Sequence, residues 1–553
     1  MKKQILMISA AFLLLAGVSC KKEDLDITNP NQPTPSSLAT EQGIKNFALG
    51  IYQKGFGWSD KPGGVGFYLV ALGYHSAMGD EIFMPWGNWG WRWGIQVNTI
   101  TLPGGKVIPN PIGPRQKDQL QSTNSRQAGE LNAFQYEWAS MYLMNGQCNA
   151  LLQALDNPEL KLSGDAATKK KMLQAWAYWW KGFAYSRIGS MYIAGVVNNS
   201  TDGTTTQNYV TNTAILAEAE SNFAKADALL ATLSANAAYT EVWEAIVPSF
   251  NRKPSVGGGV ITPAMWRRHI NTYRARNLMA NKEVSAMTAA DWTAVANFAN
   301  NGLQSGDQSF IWAMTSDGNN DLAGSFYHPT ILISDYAGWW MPSERLIQEF
   351  KSGDQRLDRR FAEYPSVAWW WVNPRGRGIQ LGTRYYAIDI EDGGDFASVV
   401  NSGFIHMAGT YEENELMKAE ALIRQGGASN INAGVTIINN VRTVQNAGLA
   451  ALPSGMTQTD ALEELRRERR VALFMRGTAF YDARRLGIIK PASQGGGRAN
   501  AIVVVPAGSA YLGLSSASAQ PCFMNYDYMA YWDVPQNELD FNIPAAGSAP
   551  VKQ

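Results

Sequence analysis

Three cysteines and four histidines are few for a chain of 553 residues. One cysteine, Cys20, closes the amino-terminal leader, so only Cys148 and Cys522 remain as thiols of the body. Two thiols make no disulfide framework, and packing has to hold the fold together. The histidines, at 75, 269, 328 and 406, lack ligand spacing, so no zinc site is indicated. Charge is also sparse: 47 basic residues balance 47 acidic ones, and charged side chains make up 17%, below the ~25% usual for soluble domains. That balance gives no support for a nucleic-acid partner. Beyond the leader, no apolar run reaches the ~20 residues that span a bilayer as a helix.

Hydrophobic content of 45% excludes general disorder, and aromatic residues are plentiful at 11%, with 19 tryptophans. Lys2 and Lys3 precede an apolar run from Ile5 to Val18, broken only by Ser9. This run is too short to span a membrane, and it reads as the core of a secretory signal peptide over residues 1–19. Val18-Ser19-Cys20 then points to lipoprotein processing, with Cys20 carrying the lipid. Residues 20–39 are polar and punctuated by Pro30, Pro33 and Pro35, as suits a tether between anchor and body.

From about residue 40 to 553 the pattern predicts a single, mostly α-helical body. Helical periodicity covers Leu131 to Leu155, Lys169 to Met191, Ala214 to Leu233, Ala264 to Asn281, Ala290 to Leu303, Tyr411 to Arg424, Ile431 to Val444 and Leu462 to Leu486. Several of these form short-looped pairs of tetratricopeptide size, within about 131–303 and 411–486, with no strict period. Long segments rich in Gly, Asn, Pro and Trp interrupt them, at 55–128, 196–212, 247–262, 304–340, 365–410 and 491–550. Loops this long on a helical scaffold usually carry function, which marks 55–128, 304–340 and 365–410 as the ligand face.

Several segments together resemble the SusD/RagB family of outer-membrane nutrient-binding lipoproteins. Cys20-Lys21-Lys22-Glu23-Asp24-Leu25-Asp26 is similar to the family's lipid-attached cysteine and acidic export signal. Lys181 to Tyr192 and Tyr411 to Leu422 resemble its tetratricopeptide helices. Leu465-Arg466-Arg467-Glu468-Arg469-Arg470, followed by Gly477, Phe480, Asp482, Arg484 and Arg485, resembles its most specific helix pattern. Met475 and Arg476 depart from it, standing where an acidic residue before glycine is common. The resemblance implies a body with tetratricopeptide-like pairs on one side and ligand-binding loops on the other, facing the cell exterior on a lipid anchor. It also implies a partner, a SusC-like TonB-dependent outer-membrane transporter that receives an oligosaccharide or, in some members, a peptide. It implies neither enzymatic activity nor a cofactor.

The residues themselves support ligand stacking. Trp86-Gly87-Asn88-Trp89-Gly90-Trp91-Arg92-Trp93 packs four tryptophans into eight residues. In an extended chain Trp89, Trp91 and Trp93 share one face at roughly 7 Å spacing, a row of flat rings for the C–H faces of sugars. Trp86 adds a ring, and Asn88 and Arg92 supply polar contacts beside them. Trp339 and Trp340, with Tyr327 and Tyr336 nearby, and Trp369, Trp370 and Trp371 form two further clusters; in the second, Trp369 and Trp371 share a face. The competing reading is that these rings fill a loop-rich core.

Other features read as structural. The helix Glu463 to Arg485 is expected to be ion-paired and packed against the array. Asp317, Asn319 and Asp321 alternate oxygen ligands, but Leu322 stands where a calcium loop needs glycine, so no metal is assigned. Asp80 and Glu81 adjoin the tryptophan cluster and are the carboxylates a glycan-degrading enzyme would use, yet neighbours in an extended chain point apart. A scaffold that binds proteins through its repeats is the remaining alternative.

Overall fold

A computed structural model of the chain describes residues 37–57, 67–84, 87–110, 113, 115–202, 204–252, 257–313, 340–372, 381–388 and 404–553. The leader, Cys20 and the tether up to residue 36 lie outside the described residues, as do Asp317, Asn319 and Asp321. The protein is mostly helical. Its longer helices are α1 Glu41–Gly57, α2 Phe67–Met78, α3 Gln116–Thr123, α4 Gln135–Leu155, α5 Ala166–Met191, α6 Asn212–Leu230 and α7 Ala237–Ile246. They continue with α8 Pro263–Ala280, α9 Ala289–Asn300, α10 Tyr411–Gln425, α11 Ala428–Val444, α12 Gln458–Ala472 and α13 Ala479–Arg485.

Local chemistry sets where these helices begin. Asp165, Thr211, Asn236, Thr262, Thr410 and Thr457 each cap a helix by accepting a backbone N–H of its first turn. Thr288 and Asp291 form a reciprocal capping box at the start of α9. Neighbouring helices pack side by side: α4 with α5, α5 with α6, α8 with α9, α9 with α10, and α10 with both α11 and α12.

The centre of the body is aromatic. Trp176, Trp179 and Trp180 of α5 meet Trp243 of α7, Trp266 of α8 and Phe310, all buried. Trp179 stacks on Phe310 at 5.2 Å, and Trp176 Nε1 donates to the Ala48 carbonyl at 2.9 Å. Large rings suit this position because each removes 150–250 Å² from water, and the indoles of Trp176 and Trp243 reach carbonyls at the edge. Two smaller cores lie among α10, α11 and α12, and among α8, α9 and α10.

The strands are short. β2 Thr99–Thr101 and β3 Val107–Pro109 join β11 Arg498–Val505 and β12 Ser518–Asn525 in the order β11-β12-β2-β3. β4 Ala194–Val196 pairs with β5 Tyr209–Thr211, and β6 Ile311–Ala313 with β10 Phe404–His406. β1 Ile82–Phe83 pairs with β7 Met341–Pro342, and β8 Phe361–Glu363 with β9 Tyr385–Ala387.

Three expectations change. The single helix over Leu462 to Leu486 is two helices, because Met475 and Gly477 adopt φ of 56° and 69° and break the ladder between α12 and α13. The segment 55–128 contains α2, whose apolar residues run all round the helix and so hide its period. The segment 491–550 contains the β11–β12 hairpin. Cys148 and Cys522 are both buried free thiols, and burial pushes each up to about 12.

At the α5–α6 contact, Gly182 lets the two helices approach: an added Cβ would stand 2.5 Å from the Phe223 ring. Gly182→Ala is therefore expected to destabilise the protein by about 1–3 kcal/mol despite alanine's better helix propensity, measured by chemical denaturation.

Candidate functional site

The three tryptophan windows are far apart in sequence, and short strands bring their flanks together. β1 ends three residues before Trp86, and it pairs with β7, which starts immediately after Trp340. β9 lies beside β7, and its partner β8 leads into the window 369–371. Between β8 and β9 the hairpin is closed again by reciprocal backbone bonds of Trp371 and Thr383, both 3.0 Å.

The base of this hairpin is pinned by buried charge. The Glu344 carboxylate accepts the Arg384 backbone N–H at 2.6 Å and its guanidinium at 2.9 Å. One residue on, Arg345 meets Asp80, which has a φ of 61° at the end of α2. Arg345 donates to both Asp80 oxygens at 3.0–3.2 Å, and Ser343 and Tyr526 hydroxyls add bonds of 3.0 Å each. Burial alone would raise the Asp80 pKa, but Arg345, with Arg498 and Arg470 nearby, holds it below the usual carboxylate range. Glu81 is different: burial pushes its carboxyl up to about 7, and Arg470 and the Ser76 hydroxyl offset this only in part. Both carboxylates are inside the protein and hydrogen-bonded, so neither faces a cleft as a hydrolytic acid or base would.

The row of rings over 86–93 does not form. Residues 88–94 are helical turns, with Trp89 at φ 52°, so the alternation of an extended chain does not apply. Trp89 and Trp91 are buried against each other at 5.0 Å, and the Trp91 indole donates to the Val70 carbonyl at 3.3 Å. Gly90 and Gly94 crowd against Tyr74, which bonds the Trp89 carbonyl at 2.6 Å. Trp340 is also buried, 6.0 Å from the Phe474 ring. These three rings therefore present no face to a ligand, a correction to the expectation. Trp86, Tyr327, Tyr336 and Trp339 lie outside the described residues.

What remains at the surface is smaller. Asn88 is exposed, and Trp93 is half-buried under the Arg92 guanidinium at 4.6 Å. Trp369 is 55% exposed on a tight turn over 367–369, the most exposed tryptophan among the described residues, with Val367 exposed beside it. Trp370 and Trp371 are half-buried; Trp371 is fixed by its indole bond to the Tyr364 hydroxyl at 2.8 Å. The return strand adds half-buried Arg384, Tyr385 and Tyr386, with Tyr386 packed on Tyr364 at 5.1 Å. Sequence reasoning passed over Tyr385 and Tyr386, although paired aromatics in a loop window are the same kind of signal as the tryptophans. The arrangement is an exposed ring on a hairpin whose base cannot move freely, with aromatic and guanidinium neighbours.

A roomy cleft lies elsewhere among the described residues, about 1050 Å³ counting its open mouth, beside Asp118, Lys490 and Tyr528. Most of its wall charges pair internally, Arg115 with Asp118 and Asp527, Lys117 with Asp527, and Lys490 with Glu283, while Arg484 bonds the carbonyls of Ser190, Ala530 and Ala280. No tryptophan lines it. Among the described residues, no group of three or more His, Cys, Asp or Glu is placed to hold a metal ion, and no helix is long and apolar enough to cross a membrane.

Residues 413–546 match the family model described as the SusD family. No curated protein sequence matches the chain. Among solved structures the chain is similar to a SusD-like carbohydrate binding protein from Bacteroides fragilis, with a TM-score of 0.59 and 13% identity over 91% of this chain and 99% of that one. A SusD-like carbohydrate binding protein from Bacteroides vulgatus gives 0.54 and 14%, covering 92% and 98%. A protein crystallised with a xylogluco-oligosaccharide gives 0.56 and 14%, covering 92% and 99%. At these identities the likeness is one of fold.

The Glu81 environment carries a pH signature. Its folded pKa lies above the unfolded value, so its stabilising contribution is complete below about pH 4.5 and is lost as pH rises through about 7. Glu81→Gln removes this titration: the fall in melting temperature between pH 5 and pH 8 is expected to be smaller in the variant than in the parent, read by scanning calorimetry.

Proposed function

We propose that this member of the SusD/RagB family binds an oligosaccharide at the hairpin surface around Trp369 and passes it to a TonB-dependent outer-membrane transporter. The observation that carries the reading is the 55% exposure of Trp369 above a base locked by Glu344 and Arg384. A ring held at the surface leaves its hydration unsatisfied on a broad apolar face, and sugar C–H faces cover such a ring while their hydroxyls stay hydrogen-bonded. Trp371, Trp93 and Asn88 are the further contacts from the described residues, with Tyr385 and Tyr386 beside them. Trp86, Tyr327 and Trp339, which lie outside the described residues, are candidates from the sequence alone. The relatives named as carbohydrate binding, and the one crystallised with a xylogluco-oligosaccharide, support glycan as the ligand class.

The anchor belongs to the same reading. The apolar run Ile5 to Val18 and Cys20 supply export and lipid attachment, which places the body on the outer membrane and facing the exterior. Binding without chemistry is the task we assign to it: Asp80 and Glu81, the carboxylates beside the 86–93 window, are committed to Arg345 and to interior bonds.

A glycan array followed by titration calorimetry tests the site. Trp369→Ala is expected to weaken binding of the best oligosaccharide by about tenfold or more with the helical circular-dichroism signal unchanged. Trp91→Ala is expected to lower stability instead, because that ring is core. Selective binding of peptides in place of glycans, or new reducing ends released from polysaccharide, would overturn the assignment.

A further inference from the structure

A second cleft, distant in sequence from the tryptophan windows, opens between the end of α10 and the helices α12 and α13, about 440 Å³ counting its open mouth and narrow at its floor. Five arginines line it: Arg424, Arg466, Arg469, Arg470 and Arg485. Only two carboxylates do, Glu420 and Asp482. Those two are already committed. Arg485 takes both Glu420 oxygens at 2.8 and 2.7 Å, and Arg469 takes both Asp482 oxygens at 2.9 and 3.0 Å. Arg466 turns away to Glu349 and Glu463.

Donors are left over. Arg469 is only 6% exposed, and its Nη1 has no hydrogen-bond partner; Arg470 Nε and Arg424 Nε make no hydrogen bond either, although each stands beside a carboxylate already engaged elsewhere, Glu349 at 3.3 Å and Glu420 at 3.6 Å. Arg470 gives its terminal nitrogens to the carbonyls of Gly79, Asp80 and Arg345, and its Nε stands 3.3 Å from Glu349, a carboxylate it shares with Arg466. Its burial, with Arg498 close by, disfavours its charged form. Buried donors on cations are unfavourable when left unmet. Water in the cleft would satisfy the N–H groups and leave the excess positive charge; an anion answers both.

The rest of the lining decides what kind of anion. Leu462, Leu465, Leu486 and Ile488 form an apolar wall beside the guanidinium groups. A fully hydrated inorganic anion gains nothing from that wall and loses water to it, whereas an apolar body is stabilised there. In the large cleft near Lys490 the surface cations Arg115, Lys117 and Lys490 pair with carboxylates, and the Arg484 guanidinium is taken up by backbone carbonyls. We propose that the α10–α12–α13 cleft binds a small organic carboxylate, its oxygens on the unpartnered arginine N–H groups and its apolar part on the leucine wall. The geometry is that of a carboxylate meeting guanidinium forks in a partly dry site. The site is independent of the hairpin around Trp369.

Titration calorimetry with benzoate, at constant ionic strength and with benzamide, phosphate and sulfate as comparison ligands, tests this. Benzoate is expected to bind saturably at one site, and benzamide, lacking the charge, about tenfold or more weakly. Arg469→Gln and Leu462→Trp are each expected to weaken benzoate by at least about tenfold while glycan binding is unchanged. Leu462→Trp breaks no ion pair, so it decides the matter even if loss of the Arg469–Asp482 pair unfolds the first variant. No saturable benzoate binding, or binding untouched by Leu462→Trp, overturns the proposal. Binding of phosphate and sulfate with none of benzoate overturns the carboxylate class and leaves a bare anion site.

Discussion

The buried pair of Asp80 and Arg345 is the constraint on which the rest of the molecule is organised. Moving both charges out of water is unfavourable by several kcal/mol each, and it is offset only because every oxygen and most guanidinium nitrogens are engaged. The partners come from across the chain. Arg345 also donates to the Ile502 carbonyl at 3.1 Å, so β11 is held; Tyr526 holds the chain after β12; and Arg470 bonds the carbonyls of Gly79 and Asp80. One interior knot thus fixes the end of α2, the strand before Ser343, α12 and the four-stranded sheet. The hairpin bearing Trp369 hangs from the residue next to it, Glu344.

A similar logic runs through the arginine-rich helix α12. Its charges do not form a solvated face. Glu468 binds Arg356 at 2.5 Å and Arg442 at 2.8 Å, and Arg469 reaches Asp482 in α13. The helices of the carboxyl-terminal array are therefore joined by paired charge as well as by the aliphatic contacts of Leu416, Ile438 and Leu465. Pairs of this kind specify which helix faces meet, since any slip leaves a buried charge alone.

The helical scaffold was legible in the sequence wherever one face is apolar and the other wet. α10 and α11 came within three residues of their bounds because the period and the caps agree. α2 was hidden because it is buried on all sides, and the break before α13 was hidden because it depends on Glu81, which receives the Met475 N–H from nearly four hundred residues away. The tryptophans show the sharpest limit. Counting rings marks windows of sequence, yet which rings face outward depends on backbone turns: the αL conformation of Trp89 sends that ring inward, while the turn at 367–369 leaves Trp369 exposed. The knot at Asp80 was out of reach, because its members are separated by more than 250 positions and nothing local marks them as a set.

The two thiols have a use of their own. Cys148 sits in α4 against the main core and Cys522 in the middle of β12, each buried and with its thiolate form suppressed. In an oxidising exterior such thiols neither pair nor react while the fold is closed. Each therefore acts as a native clock: a thiol reagent can reach it only when its surroundings open, so the two labelling rates time the breathing of the helical array and of the sheet separately.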